Sequence, residues 1–116
     1  MSDQVRQDEA GIRYVEIAPA GGLPQGERLF VEIDGIPIVV INLDGSLYAF
    51  GDLCTHDDGP LGEGALEGHE IVCPRHGARF DVRTGKAISM PAVHDIPAYP
   101  VRVRGGKIEI GIPVKD

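Results

Sequence analysis

Short stretches in which apolar and polar positions alternate recur along the chain, and they come in groups. Residues 28–33 (RLFVEI), 36–41 (IPIVVI) and 46–50 (SLYAF) are separated only by Asp34-Gly35 and by Asn42-Leu43-Asp44-Gly45. A period of two, or a short apolar run between turn residues, marks a strand, and Asp-Gly supplies the positive φ of a tight hairpin. This region predicts three antiparallel strands in a meander. Residues 12–17 predict an earlier strand, and the polar residues 1–10 a flexible N-terminal tail. Toward the other end, residues 99–104 alternate apolar and basic, Gly105-Gly106 makes a turn, and 107–112 alternate again, which predicts a hairpin with one buried face. Between the two β regions, Gly and Pro break every long period, and only 70–73 and 78–82 read as strands. The expected organisation is one domain over 11–116, all-β, with an inserted subdomain at about 51–95 where function would sit.

Composition narrows the picture. Sixteen Gly, nine Pro and no Trp favour short strands and turns over long helices. Eighteen Asp and Glu against 11 Lys and Arg leave a formal net charge of −7. Such a surface repels phosphate backbones and anionic lipid, so neither nucleic acid nor membrane is expected as a partner. No run approaches a membrane span and residues 1–10 lack the apolar segment of a signal peptide, so the expected location is the cytoplasm, where thiols stay reduced.

Both cysteines lie in the insert, as Cys54-Thr55-His56 and Cys73-Pro74-Arg75-His76, with 16 residues between His56 and Cys73. Two Cys/His pairs drawn from two cysteines and four histidines are a poor coincidence, and thiolate with neutral imidazole is the donor set of borderline and soft metals. Two metal readings compete with the plainer one of two buried thiols and two surface histidines. A structural zinc would gather all four side chains on one tetrahedral ion, but its usual knuckles pair Cys with Cys and His with His. Here each loop offers one of each. That lets the cysteines meet on one iron and the histidines on its neighbour, which is the ligation of a Rieske [2Fe–2S] centre.

From these residues onward the chain resembles a family. Cys54-x-His56 and Cys73-x-x-His76, continuing as Gly77-Ala78-Arg79-Phe80-Asp81 and Thr84-Gly85, with Pro60-Leu61, Pro91 and Tyr99-Pro100-Val101, are similar to the Rieske-type ferredoxins of bacterial oxygenase systems. The resemblance runs over about residues 12–112. It implies a sandwich of antiparallel sheets with a small cluster-binding subdomain, one [2Fe–2S] cluster per chain, and Cys54, His56, Cys73 and His76 as its ligands. It implies a one-electron carrier between a flavoprotein NAD(P)H reductase and a terminal non-haem iron oxygenase, with no small-molecule substrate and no catalytic residue of its own. A nitrite reductase small subunit is the alternative within electron transfer, and a zinc-stabilised interaction module the alternative outside it.

Membrane-anchored cytochrome bc-type Rieske proteins carry an extra cysteine in each loop, where this chain has Gly59 and Arg75, and hydroxyls where it has Ala78 and Phe80. Without those donors the potential should lie low in the Rieske range. Beyond the four ligands only His69 and His94 are left, too few for the mononuclear iron domain of an oxygenase large subunit. Both read as solvated loop residues. Asp57 and Asp58 read as solvated acids or a docking patch, and Arg75 and Arg79 as docking residues or partners of those acids. Met90 reads as packing, and Pro74 and Pro91 as stiffeners of the pocket.

Overall fold

The computed structural model describes residues 6–8, 11–52, 61–74, 77–89 and 94–113, and among them the chain forms strands and a single 3-10 turn, Ala20–Gly22, with no α-helix. No helix among these residues is long and apolar enough to cross a membrane. The expected meander is present as β3 (Arg28–Ile33), β4 (Ile36–Leu43) and β5 (Ser46–Gly51), paired antiparallel in the registers Phe30↔Val39 and Val39↔Phe50. Both Asp-Gly turns are left-handed at two successive residues, Asp34 and Gly35 at φ 53 and 79, Asp44 and Gly45 at 54 and 87. This is the twist-matched hairpin turn that Asp-Gly favours. A two-residue strand, β10 (Ala98–Tyr99), pairs with β5 and completes a central sheet.

An outer sheet is built from β1 (Arg6–Asp8), β2 (Ile12–Pro19), β12 (Lys107–Pro113) and β11 (Val101–Arg104), in that order across the sheet. Two expectations change here. Residues 6–8, placed in the tail, pair with β2 in the register Arg6↔Tyr14 to Asp8↔Ile12, an added strand whose short polar sequence carries no alternation. The stretch 99–104 is not one strand. Tyr99 pairs with Ala49 in the central sheet, whereas Val101 pairs with Ile110 in the outer one. Pro100 has no N–H to continue a ladder, and its carbonyl accepts the N–H of Gly111 at 2.8 Å, so the chain changes sheet at this residue.

The insert forms a third, smaller sheet of β6 (Ala65–Glu67), β7 (Glu70–Val72), β8 (Arg79–Asp81) and β9 (Ala87–Ser89), in sequential order. The sequence reading found β7 and β8 and missed the flanking pair. In β6 only Leu66 turns toward the core, and one apolar residue makes no period.

The central sheet is shared by two cores. Ile38 and Val40 of β4 join Ala49, Ile108, Ile110 and Ile112 in a distal core under the outer sheet. Val39 and Ile41 face the other way, into a proximal core with Phe50, Leu61, Ile71, Ala78, Phe80, Val82 and Ile96 under the small sheet. Being covered on both faces is why β4 reads as an unbroken apolar run rather than an alternating one.

Candidate metal centre

Cys73 follows β7 directly and is 1% exposed, inside the proximal core. Its N–H donates to the carbonyl of Ala78 at 2.7 Å and its carbonyl accepts the N–H of Gly77 at 3.0 Å, so the pairing of β7 and β8 extends by one residue on each strand. Ala78 and Phe80, the positions where hydroxyls were noted to be missing, are both fully buried beside it. Side chains alternate along β7 and β8, so the apolar members of the motif point into the core while Arg79 points out. The partner histidine of this loop, His76, and Arg75 lie outside the described residues. So do Cys54 and His56 of the first loop, with Asp57 and Asp58, and Met90 and Pro91.

The stems of the first loop are described, and they contain what the sequence reading missed. Asp52 follows β5, and its Oδ1 accepts the N–H groups of Leu61 at 3.0 Å and Gly62 at 2.5 Å. Its own N–H donates to the carbonyl of Pro37 at 2.9 Å. From edge strand β3, Nη1 of Arg28 donates to the carbonyls of Gly62 and, at 2.7 Å, Gly64. Gly64 is buried hard against β7: a Cβ there would lie 2.0 Å from the carbonyl oxygen of Val72, the residue before Cys73. Asp52 had a signal, an Asx residue two places before Cys54. Arg28, 26 residues before Cys54, had none.

Arg79 is held by Glu67 at 2.8 Å and Glu70 at 3.2 Å, across three neighbouring strands, which gives it partners within the small sheet. His69 is not simply solvated. It is half-buried, with its ring edge-on to Tyr48 at 6.1 Å between centroids, and its carbonyl accepts the N–H of Val82. Sequence could not show this, because Tyr48 comes from the central sheet. His94 is exposed, as expected. Asp81 accepts Nη2 of Arg83 at 2.8 Å and Nε at 3.0 Å, and these hydrogen bonds, against the opposing effect of burial, hold its carboxyl below the usual carboxylate range.

The donor chemistry suits an iron–sulfur centre. The one described ligand candidate is a thiol within an apolar shell, and no charged or polar side chain among the described residues is buried with it. A shell of that kind suits a thiolate-bound cluster of low net charge and shields it from water. The comparisons with known proteins agree. The Rieske [2Fe-2S] domain family matches residues 13–100. The 3-phenylpropionate/cinnamic acid dioxygenase ferredoxin subunit of Escherichia coli K12 is 41% identical over 97 residues, 82% of this chain and 90% of that one. The ferredoxin component of the naphthalene 1,2-dioxygenase system of Pseudomonas aeruginosa is 35% identical over 100 residues, 86% of this chain and 96% of its own. Among solved structures, a chain in the complex of reduced oxygenase and oxidized ferredoxin in carbazole 1,9a-dioxygenase superposes with a TM-score of 0.79 at 31% identity, covering 89% of this chain and 96% of that one. A nitrite reductase small subunit from Mycobacterium tuberculosis shares the fold at 22% identity, a likeness of fold alone. The zinc reading gives way to the family match. The chain belongs to the Rieske [2Fe-2S] domain family, among the ferredoxins of ring-hydroxylating dioxygenase systems, and its prosthetic group is one [2Fe–2S] cluster.

Proposed function

We propose that this protein is a soluble, cytoplasmic one-electron carrier in which Cys54 and Cys73 ligate one iron of the cluster and His56 and His76 the other. The observation that carries the reading is Cys73, buried at the end of β7 and joined through its backbone to Gly77 and Ala78, the residues that follow His76 in the chain. When bound, the cluster takes up and releases a single electron. The chain supplies the rest. Ala78, Phe80 and Ile71 form a dry wall behind Cys73, and the β7–β8 ladder fixes the direction from which its thiolate approaches. The donor is a flavoprotein NAD(P)H reductase and the acceptor a terminal non-haem iron oxygenase. Support for the acceptor comes from the relatives, which are components of multicomponent dioxygenase systems, and from the oxygenase–ferredoxin complex among the structural neighbours. The net charge of −7 disfavours nucleic acid and membrane as partners, and the domain takes no small-molecule substrate of its own.

Purified anaerobically, the protein is expected to contain two irons and two acid-labile sulfides per chain and, when reduced, to give a rhombic EPR signal. Added to a reductase and an oxygenase of this class, it should couple NAD(P)H oxidation to product formation. One zinc per chain from iron-replete cells, or a holo-protein that the reductase cannot reduce, would overturn the reading.

A further inference from the structure

We infer that Asp52, Arg28 and Gly64 are positioning residues that set the separation of the two ligand loops and thereby how firmly the cluster is held. The inference rests on the ligand assignment above, since Cys54 and His56 follow Asp52 in the chain and Cys73 follows Val72.

Asp52 and Leu61, the described residues on either side of 53–60, meet at one neck. A single carboxylate oxygen of Asp52 closes that neck by accepting the N–H groups of Leu61 and Gly62, and the N–H of Asp52 is tied to Pro37 on β4. Hydrogen bonds to an ionised acceptor are the stronger kind, and fixing the two ends of any segment reduces the conformations open to it. The Gly62 residue is then strung between charges, its N–H on Asp52 and its carbonyl on the guanidinium of Arg28. Arg28 also holds the carbonyl of Gly64, whose N–H returns to Leu61 at 2.9 Å. At Gly64 the clamp meets the end of β7, next to Cys73. The close approach to the carbonyl of Val72 is open only to a residue without a Cβ. Asp52 before the first Cys/His pair and Val72 before the second are therefore joined through one chain of contacts, Pro37 to Asp52 to Gly62 to Arg28 to Gly64 to Val72. Arg28 stands on an edge strand whose neighbours Leu29 and Val31 already serve the distal core, so its clamp is separable from the packing of β3.

The test compares full-length holo-proteins: wild type, Asp52→Ala, Asp52→Asn, Arg28→Met, and Ile110→Ala, a distal-core variant included to measure the effect of lost stability alone. Cluster bleaching in an iron chelator, the EPR g values and the thermal midpoint are read on each. Asp52→Ala and Arg28→Met are expected to bleach about tenfold faster than wild type, the factor that a lost charge-assisted hydrogen bond corresponds to, with displaced g values. Asp52→Asn keeps an acceptor oxygen and should restore most of the lifetime, while Ile110→Ala should lower the thermal midpoint and leave the g values unmoved. Bleaching that follows the thermal midpoint across the whole set overturns the proposal, as does an Asp52→Asn protein no better than Asp52→Ala. If Asp52→Ala cannot be purified folded, Arg28→Met decides by the same two readouts. Failure of the ligand assignment shows elsewhere: Cys54→Ser would then retain a wild-type cluster whatever the neck variants do.

Discussion

The two faces of the central sheet are stabilised differently. On the distal side, β12 runs against β2 from Lys107↔Pro19 to Pro113↔Ile12, and the aliphatic side chains of Ile108, Ile110 and Ile112 close over Ile38 and Val40. Long ladders and apolar area are sufficient there. On the proximal side the strands are three residues long, and their order depends on side chains that bond to backbone and on glycines that permit close approach. Asp95 accepts the N–H of Ala87 at 2.8 Å, and Gly85 admits the carbonyl of Ile96 where a Cβ would lie 2.0 Å from it. Four three-residue strands bury little surface by themselves, so cluster binding is expected to be coupled to the local folding of this side. Cys73, the described ligand candidate, sits on the side with the shorter ladders.

The largest effect expected from this contrast is at the ligands. Cys73→Ser should eliminate the cluster, and hydrogen exchange should then speed up across β6 to β9 while the β2–β12 ladder keeps its protection. Cys54→Ser should do the same, whereas His69→Ala should leave iron content and EPR unchanged. Uniform loss of protection over all three sheets would break the comparison, because it would mean a single cooperative unit.

Next in size is a truncation on the distal side. Ile110→Ala, at a fully buried position, is expected to cost about 3 kcal/mol in urea unfolding, within the range for buried aliphatic deletions, with the iron bound per folded chain unchanged. A fall in iron content matching the fall in stability would merge the two regions.

How much of this was legible in the sequence follows the same division. The meander and the terminal hairpin announced themselves because Asp34-Gly35, Asp44-Gly45 and Gly105-Gly106 are local turn signals between strands long enough to show a period. Among the strands of two or three residues, β7 and β8 show because Cys73, Ala78 and Val82 extend their apolar pattern, whereas β1, β6, β9 and β10 do not reach a period, and Pro100 changes sheet where its carbonyl meets Gly111, which is distant in sequence. The candidate ligands stood out because Cys and His are rare here and cluster. Their supports did not, since Arg28 and Gly64 act through backbone atoms that only the fold brings near.

A smaller effect tests the chemistry of the proximal core. Ala78→Ser together with Phe80→Tyr should raise the midpoint potential by about 40 mV, the equivalent of about 1 kcal/mol for a donor that favours the reduced cluster. Both side chains are fully buried, so a new hydroxyl finds no water and must bond to the site or remain unsatisfied. Protein-film voltammetry separates the two cases. A raised potential at intact stability supports a cluster next to these positions, and an unchanged potential with lost stability places the hydroxyls away from it.

The smallest effect concerns the end of the small sheet away from Cys73. Asp81 accepts the backbone N–H of Arg83 at 2.8 Å as well as its guanidinium, with His69 nearby adding a weaker attraction, and its carboxyl is held below the usual carboxylate range. A group whose folded-state pKa is depressed contributes stability that is complete above its unfolded-state value and disappears as pH falls through the folded one. The contribution of Asp81 should therefore be constant from neutral pH down to about 4 and fade below it. Arg83 is half exposed and the pair is screened by solvent, so the change in thermal midpoint between wild type and Asp81→Asn at pH 7 should be about 2 °C or less and shrink as the pH falls below about 4. Because Asp81 supports the small sheet at the end remote from Cys73, the same substitution should leave the EPR g values untouched at every pH. A displaced signal would show that strain crosses the whole sheet, and the division between a ligand end and a purely structural end would have to be redrawn.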